Sequence, residues 1–271
     1  MAGKAAGTSS WLTNIGNEFG QVLNSVLTTS EGSGLEALTK GIIDRYTTAN
    51  IKPPDVLYVD RDCCAKRSSS STKLLFGDWP NLEVRLDIWH LMRRFADGCT
   101  TNAHPLYGTF MSHLSSCIFE FDAEDVRLLR QAKASEIEAT EGRSNLSTAD
   151  LDSRITKAEL SKHCRRKTRG VNKTTELISQ LLQVLGGAAG RDENNVPLIH
   201  PERMAEVWKA QEKHIKCIQD PPNCQLYTKT GSLKKGTIDL PVYRCARGST
   251  SLESFHLHVA RFIPGGLVGV L

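Results

Sequence analysis

Val56-Leu-Tyr-Val-Asp60 and Leu82-Glu-Val-Arg-Leu-Asp87-Ile-Trp-His90 are two short, largely apolar runs that each lead into an acid. Runs of this length and composition read as strands buried in a sheet. Their carboxylates then emerge at the C-terminal edge, where open α/β sheets place ligands. A third acid, Glu253, opens a late amphipathic segment, Leu252-Glu-Ser-Phe-His-Leu-His-Val-Ala-Arg-Phe262. Carboxylates scattered along a chain but delivered to sheet edges suit a divalent-metal site for phosphoryl transfer.

Working outward from the first run, Trp11-Leu-Thr13 and residues 20–29 have strand character, with Gly16-Asn17 as the turn between them. Over residues 31–49, Leu35, Leu38, Ile42 and Tyr46 recur at helical spacing and form a one-sided apolar stripe. Pro53-Pro54 stops that helix before Val56. After Asp60, the Ser68–Ser71 stretch reads as a loop or a weak helix facing solvent. Hairpin, helix, strand, helix or loop, and strand together make an α/β pattern, a mixed sheet with flanking helices.

From His90 to about Ile218 the pattern turns helical, over residues 89–96, 106–117, 124–132, 149–160, 174–185 and 201–218, with a polar connection at 138–147. Strand character returns at Leu240-Pro-Val-Tyr-Arg-Cys245, and a last helix follows from about Thr250. The expected organisation is a sheet domain begun by residues 10–97, interrupted by an all-α insertion over 98–236, and closed by a strand and helix over 237–265.

The 271 residues carry 34 basic and 30 acidic side chains, a net charge of +4, which permits a nucleic-acid partner without demanding one. No apolar stretch approaches the roughly 20 residues that cross a bilayer. The first residues lack the apolar region of a signal peptide. Eight cysteines in that context read as reduced thiols, so the nucleus or cytoplasm is the expected location. There is no P-loop, dinucleotide fingerprint or GxSxG elbow.

Each motif has a structural alternative. Asp60 can cap the helix that follows it, and Asp62 competes for the same ligand role. Asp87 and His90, three apart on an incipient helix, share a face, or form an N-cap beside an ordinary histidine. Glu253 can belong to a capping box with Ser249 or Thr250. Arg165, Arg166, Lys167, Arg169 and Lys173 make the strongest basic cluster, suited to phosphates or to a solvated helix end. By spacing the cysteines do not form a zinc pattern: Cys63-Cys64 are adjacent, Cys217 and Cys224 lie too far apart for a CxxC knuckle, and a knuckle of Cys217, Cys224 and His214 is the minor metal option left.

In order, these pieces resemble the ribonuclease-H-like core of cut-and-paste DNA transposases of the Mutator-like and hAT-like group, and transposon-derived proteins that recur in fish genomes. The resemblance spans residues 10 to 265. It rests on the strand ending at Asp60, the Asp87-Ile-Trp-His90 match to a [Cys/Asp]-x-x-His signature, and Ser251-Leu-Glu253 after a helical insertion. It implies that Asp60 and Glu253 hold Mg2+ or Mn2+, with Asp62, Asp87 and His90 accessory. DNA is the implied partner, with a homo-oligomer compatible and no membrane. The family's first acid belongs on a strand before Trp11, yet no Asp or Glu precedes Glu18. The expectation is therefore a truncated core lacking its first strand, a transposase remnant with little or no activity and an open sheet edge; the alternative is a nucleic-acid-binding or scaffolding module that uses the basic helical insertion.

Overall fold

The computed structural model describes residues 2–4, 11–28, 34–64 and 71–262. Along the chain run β1 (Ala2–Lys4), β2 (Trp11–Gly16), β3 (Val22–Thr28), α1 (Glu36–Thr48), β4 (Val56–Val59), α2 (Ser71–Leu75), β5 (Glu83–Leu86) and α3 (Ile88–Arg94). Next come α4 (Tyr107–Ile118), β6 (Phe119–Phe121), α5 (Ala123–Glu141), α6 (Thr148–Arg154), α7 (Lys157–His163), β7 (Arg166–Thr168) and α8 (Val171–Gly186). The rest is α9 (Pro201–Gln211), a 3-10 helix (Glu212–Ile218), β8 (Tyr227–Lys235), β9 (Ile238–Cys245) and α10 (Thr250–Phe262). The protein is mixed α/β. Among the described residues no helix is long and apolar enough to cross a membrane. Of the expected Ser68–Ser71 segment only Ser71, the first residue of α2, lies within the described residues.

The chain forms two compact units, one from residues 1–111, 182–221 and 247–271, the other from 112–181 and 222–246. In the first, β1, β2 and β3 form an antiparallel sheet in that order. A strand therefore precedes Trp11, where the sequence was expected to lack one. The hairpin bend is set by Asn17, whose Oδ1 accepts from the backbone N–H of Phe19 and of Gln21 at 3.1 and 2.9 Å. Helix α1 buries Leu38 and Ile42, and Ile42 joins Phe76 and Trp79 in a core that Ile15, Leu23, Tyr46, Leu57 and Leu82 extend. The apolar stripe read from the sequence is thus the face that packs.

β4 and β5 are parallel, pairing Val56 with Glu83 through Val59 with Leu86. The backbone N–H of Asp87 donates to Val59 O at 2.8 Å, so pairing continues to the last residue before α3. Among the described residues this pair is not hydrogen-bonded to the β1–β3 sheet, and the strands form four small sheets in place of one mixed sheet.

In the second unit β6 pairs antiparallel with β7, and β8 with β9. The insertion was expected to be all-α; the three strands β6, β7 and β8 correct that. Tyr227-Thr-Lys-Thr-Gly-Ser-Leu-Lys-Lys235 is mostly polar, and a hairpin ladder, not buried side chains, holds it. β9, expected to close the core sheet, pairs among the described residues with β8 alone. Residues 149–160 form two helices, because Ser147 with Asp150 and Thr156 with Glu159 each build a capping box. α5 runs to Glu141, into the stretch read as a connection, and stops at Gly142, whose φ of +64° suits glycine. Leu129, Ala132, Cys164 and Leu240 form this unit's core.

Candidate acidic edge and metal centre

The parallel register makes Asp60 and Asp87 the next residues beyond Val59 and Leu86, neighbours at the C-terminal end of one strand pair. The expectation that each acid follows the C-terminal end of a strand is met, and the pairing of the two strands is what makes them neighbours. Their carboxylates do different things. Asp87 is the N-cap of α3, and its Oδ2 stands 2.6 Å from His90 Nδ1. Both are buried, at 3% and 5% exposure. The capping alternative and the shared-face reading are both realised, because i and i+3 stack in the first turn of a helix.

Glu253 enters the same place from α10. Its Oε1 lies 3.7 Å from His90 Nε2, making an acid–imidazole–acid series of Asp87, His90 and Glu253. The Glu253 side chain is 15% exposed, and among the described residues neither carboxylate oxygen has a hydrogen-bond partner. Burial pushes its carboxyl up from the ordinary 4.5, His90 draws it down, and the charge of Asp87 raises it further. Among the described residues, no hydrogen bond of a capping box reaches the Glu253 carboxylate. α10 starts at Thr250, which makes Glu253 its fourth residue, and the Ser249 hydroxyl is likewise without a partner among the described residues. Gly248, at φ +82°, lets the backbone pass Asp87; a Cβ there would stand 2.6 Å from Asp87 Oδ1.

Asp60 and Asp62 separate clearly. Asp62 sits at φ +65° and its Oδ2 accepts from the backbone N–H of Thr72 at 2.9 Å and the Ser71 hydroxyl at 3.2 Å. It holds the start of α2, the role the sequence offered to Asp60. The Asp60 carbonyl accepts from an Arg94 guanidinium N–H, and Arg94 also donates to Gln211 Oε1 at 2.9 Å.

A second constellation lies three residues further on. Cys63, Cys64, His214 and Cys217 bring their three Sγ atoms and one ring nitrogen within 4.8 Å of one another, a group that could hold a metal ion. Cys63 Sγ and Cys64 Sγ are 3.8 Å apart and stand 3.3 and 3.0 Å from His214 Nδ1. His214 and Cys217 occupy the 3-10 helix 212–218, where three residues make one turn and i, i+3 side chains superpose. That helix is fixed by buried Ile215 and Ile218, and the Lys216 carbonyl accepts from Arg85 on β5 at 3.3 Å. The knuckle read from Cys217, Cys224 and His214 is corrected: Cys224 falls in the second unit and is replaced by the Cys63-Cys64 pair. Nothing in local spacing joins residues 150 positions apart. The H-x-x-C spacing and the vicinal cysteines were the available signals.

The sequence places His256 on the Glu253 side of the last helix but gives no sign of its partner Asn14; their Nε2 and Nδ2 meet at 2.6 Å, both residues buried. Burial lowers the His256 pKa, so its neutral Nε2 accepts from the Asn14 amide.

The basic cluster belongs to the second unit and is largely paired. Arg165 grips Asp125 through Nε at 2.8 Å and Nη2 at 3.0 Å, and its own backbone N–H donates to the same carboxylate. Lys167 and Arg169 share Glu120, each at 3.1 Å; Lys173 meets Glu176 at 3.0 Å. The Arg166 guanidinium lies 4.5 Å from the Phe119 ring centre.

Comparison of the chain with protein-family models, curated proteins and solved structures finds no match.

Proposed function

We propose that the chain is a transposase-derived protein whose acidic edge descends from a metal-dependent phosphodiester-transfer site and has little or no turnover of its own. The observation that carries this reading is Glu253, a buried carboxylate with no hydrogen-bond partner among the described residues, beside Asp87 and next to the strand end that bears Asp60. A buried ionised carboxylate without donors costs several kcal/mol, and a bound cation relieves that cost. Asp60 and Glu253 would hold Mg2+ or Mn2+. When bound, such an ion would polarise a phosphodiester oxygen and stabilise the leaving oxygen. Asp87 and His90 are accessory: Oδ2 and Nδ1 are used on each other, while His90 Nε2, without a hydrogen-bond partner among the described residues, faces Glu253.

The antiparallel β1–β2–β3 sheet followed by a helix and a parallel strand pair supports the ribonuclease-H-like ancestry. β1 carries no acid, which leaves two carboxylates for the ion and supports weak occupancy. DNA is the substrate class this ancestry implies.

The test is Mn2+ binding to the whole chain, followed by electron paramagnetic resonance, alongside nicking of supercoiled DNA. Weak Mn2+ binding abolished by Asp60→Asn and by Glu253→Gln, without nicking, is the expected result. Binding that ignores both substitutions removes the acidic-edge reading. Robust cutting abolished by both would keep the site and overturn the claim of inactivity.

A further inference from the structure

Four donor atoms from two distant stretches of sequence converge at Cys63, Cys64, His214 and Cys217. Three thiols and one imidazole are the ligand types of closed zinc sites, in which the protein fills every coordination position. With Zn–S bonds of about 2.3 Å, two sulfurs on a tetrahedral zinc stand about 3.8 Å apart. Cys63 and Cys64 Sγ are 3.8 Å apart. The imidazole nitrogen lies 3.3 and 3.0 Å from those sulfurs, within about half an ångström of the corresponding nitrogen–sulfur edge of about 3.5 Å.

The surroundings fit the charge such a site carries. Three thiolates and one zinc sum to minus one, and Arg94, Lys213 and Lys216 lie close enough to act on His214. Those cations oppose a bare divalent ion but stabilise thiolates and the net anion they form with it. The scaffold is also built without help from a metal. Arg94 ties the Asp60 carbonyl to Gln211, and Arg85 ties β5 to the Lys216 carbonyl. Both halves of the cluster are therefore held in place by contacts outside it. Two of the sulfurs, Cys63 and Cys217, are buried, so the centre faces the interior.

We propose that Cys63, Cys64, His214 and Cys217 bind one zinc ion, a structural centre that clips the segment leaving β4 to the 3-10 helix 212–218. The zinc has no open position and does no chemistry. Its effect is to fix the backbone from Asp60 to Cys64, and so the acid at the end of β4. This proposal stands on donors separate from those of the acidic edge and does not depend on it.

The test uses the full chain, purified under reducing conditions and assayed for metal by mass spectrometry, then stripped and refilled with Co2+. The expected result is about one zinc per chain, with the intense visible and near-ultraviolet bands of tetrahedral thiolate cobalt. Cys217→Ser and Cys64→Ser should each drop zinc below about a tenth of an equivalent under a competing chelator, since a closed site needs all four ligands. Cys64 is exposed, so its serine variant keeps the test readable if Cys217→Ser unfolds. His214→Cys should restore a full equivalent as a four-sulfur site, whereas His214→Ala should not. Cys224→Ser and Cys245→Ser, outside the cluster, should leave the metal in place. Failure of the wild-type chain to bind zinc or to give cobalt bands overturns the proposal, as does zinc retained by both Cys64→Ser and His214→Ala. Persistence of Mn2+ binding at Asp60 and Glu253 in either case bears only on the acidic edge.

Discussion

His90 Nδ1 lies 2.6 Å from Asp87 Oδ2 inside the first unit, with the His90 Nε2 turned to Glu253 at 3.7 Å. Three groups that ionise, separated by up to 166 positions of sequence, share one buried line. Each of the three faces at least one of the others, which makes each member's replacement informative.

Asp87→Asn and His90→Ala should each cost about 3–5 kcal/mol, because removing one partner strands the other without compensation. Gly248→Ala should cost about 1–3 kcal/mol through its left-handed backbone and the close approach of Asp87. All four tryptophans, Trp11, Trp79, Trp89 and Trp208, belong to the first unit, so their fluorescence in a urea titration reads this unit alone. Losses below about 1 kcal/mol for both members of the pair would show that it does not form.

Glu253→Gln should move stability in the opposite direction. The carboxyl is raised above its unfolded value of 4.5, so its ionised form penalises the fold at neutral pH. In metal-free buffer the amide should stabilise by about 1–2 kcal/mol at pH 7. That gain should shrink as pH falls through the folded pKa towards 4.5, where both states of the wild type bind the proton. Added Mn2+ should narrow the difference by stabilising the wild type alone. A variant less stable than wild type in chelator at pH 7 contradicts the orphaned carboxylate.

The second unit has its own pH dependence in Glu159. Burial alone would push this carboxyl up; Lys133, Lys235 and the Thr156 cap outweigh it and hold the pKa at about 2. The folded value lies below the unfolded one, so the stabilisation is complete above about 4.5 and is lost as pH falls towards 2. Glu159→Gln should cost about 2–3 kcal/mol at pH 7 and nearly nothing near pH 2. Far-ultraviolet circular dichroism across a pH series measures it; a constant difference down to pH 2 would remove the ion cluster as its cause.

Arg165 tests the basic cluster. Asp125 is buried and takes three donors from Arg165, so Arg165→Ala should destabilise the second unit by about 3 kcal/mol. Arg165→Lys should recover less than half, since an ammonium cannot reproduce the two-pronged grip. Lys167→Ala and Lys173→Ala, exposed at 69% and 53%, should leave folding intact. DNA affinity followed by fluorescence anisotropy against salt should change little in these two. A steep loss of affinity and salt slope with folding preserved would favour DNA binding through this face.

The local elements were legible wherever one pattern dominated. The strand leading to Asp60, the stripe of Leu38 and Ile42, and the Asn17 bend were readable because a short apolar run, helical period and turn chemistry act over a few residues. Asp87 beside His90 was readable for the same reason. What escaped the sequence was pairing over distance. β8 is mostly polar and becomes a strand only against β9. Asp60 and Asp62 could not be separated until α2 claimed Asp62. The cysteines at 63 and 64 gained meaning only beside His214 and Cys217, because long-range convergence leaves no local period.

The first unit is stitched from three separated stretches, with Asn14 meeting His256 across 242 positions. Pairings of that span close slowly, since the intervening chain must be ordered before the contact rewards it. On a ribosome the order is imposed by synthesis. Cys63, Cys64, His214 and Cys217 have all emerged before the second unit's last strand is complete, and Glu253 comes later still. A nascent chain can therefore assemble the sulfur-lined cluster around β4 while the acidic edge still lacks its final member. Among the described elements the helix bearing Glu253 emerges last, so the carboxylate that faces His90 is the final member of the acidic edge to arrive.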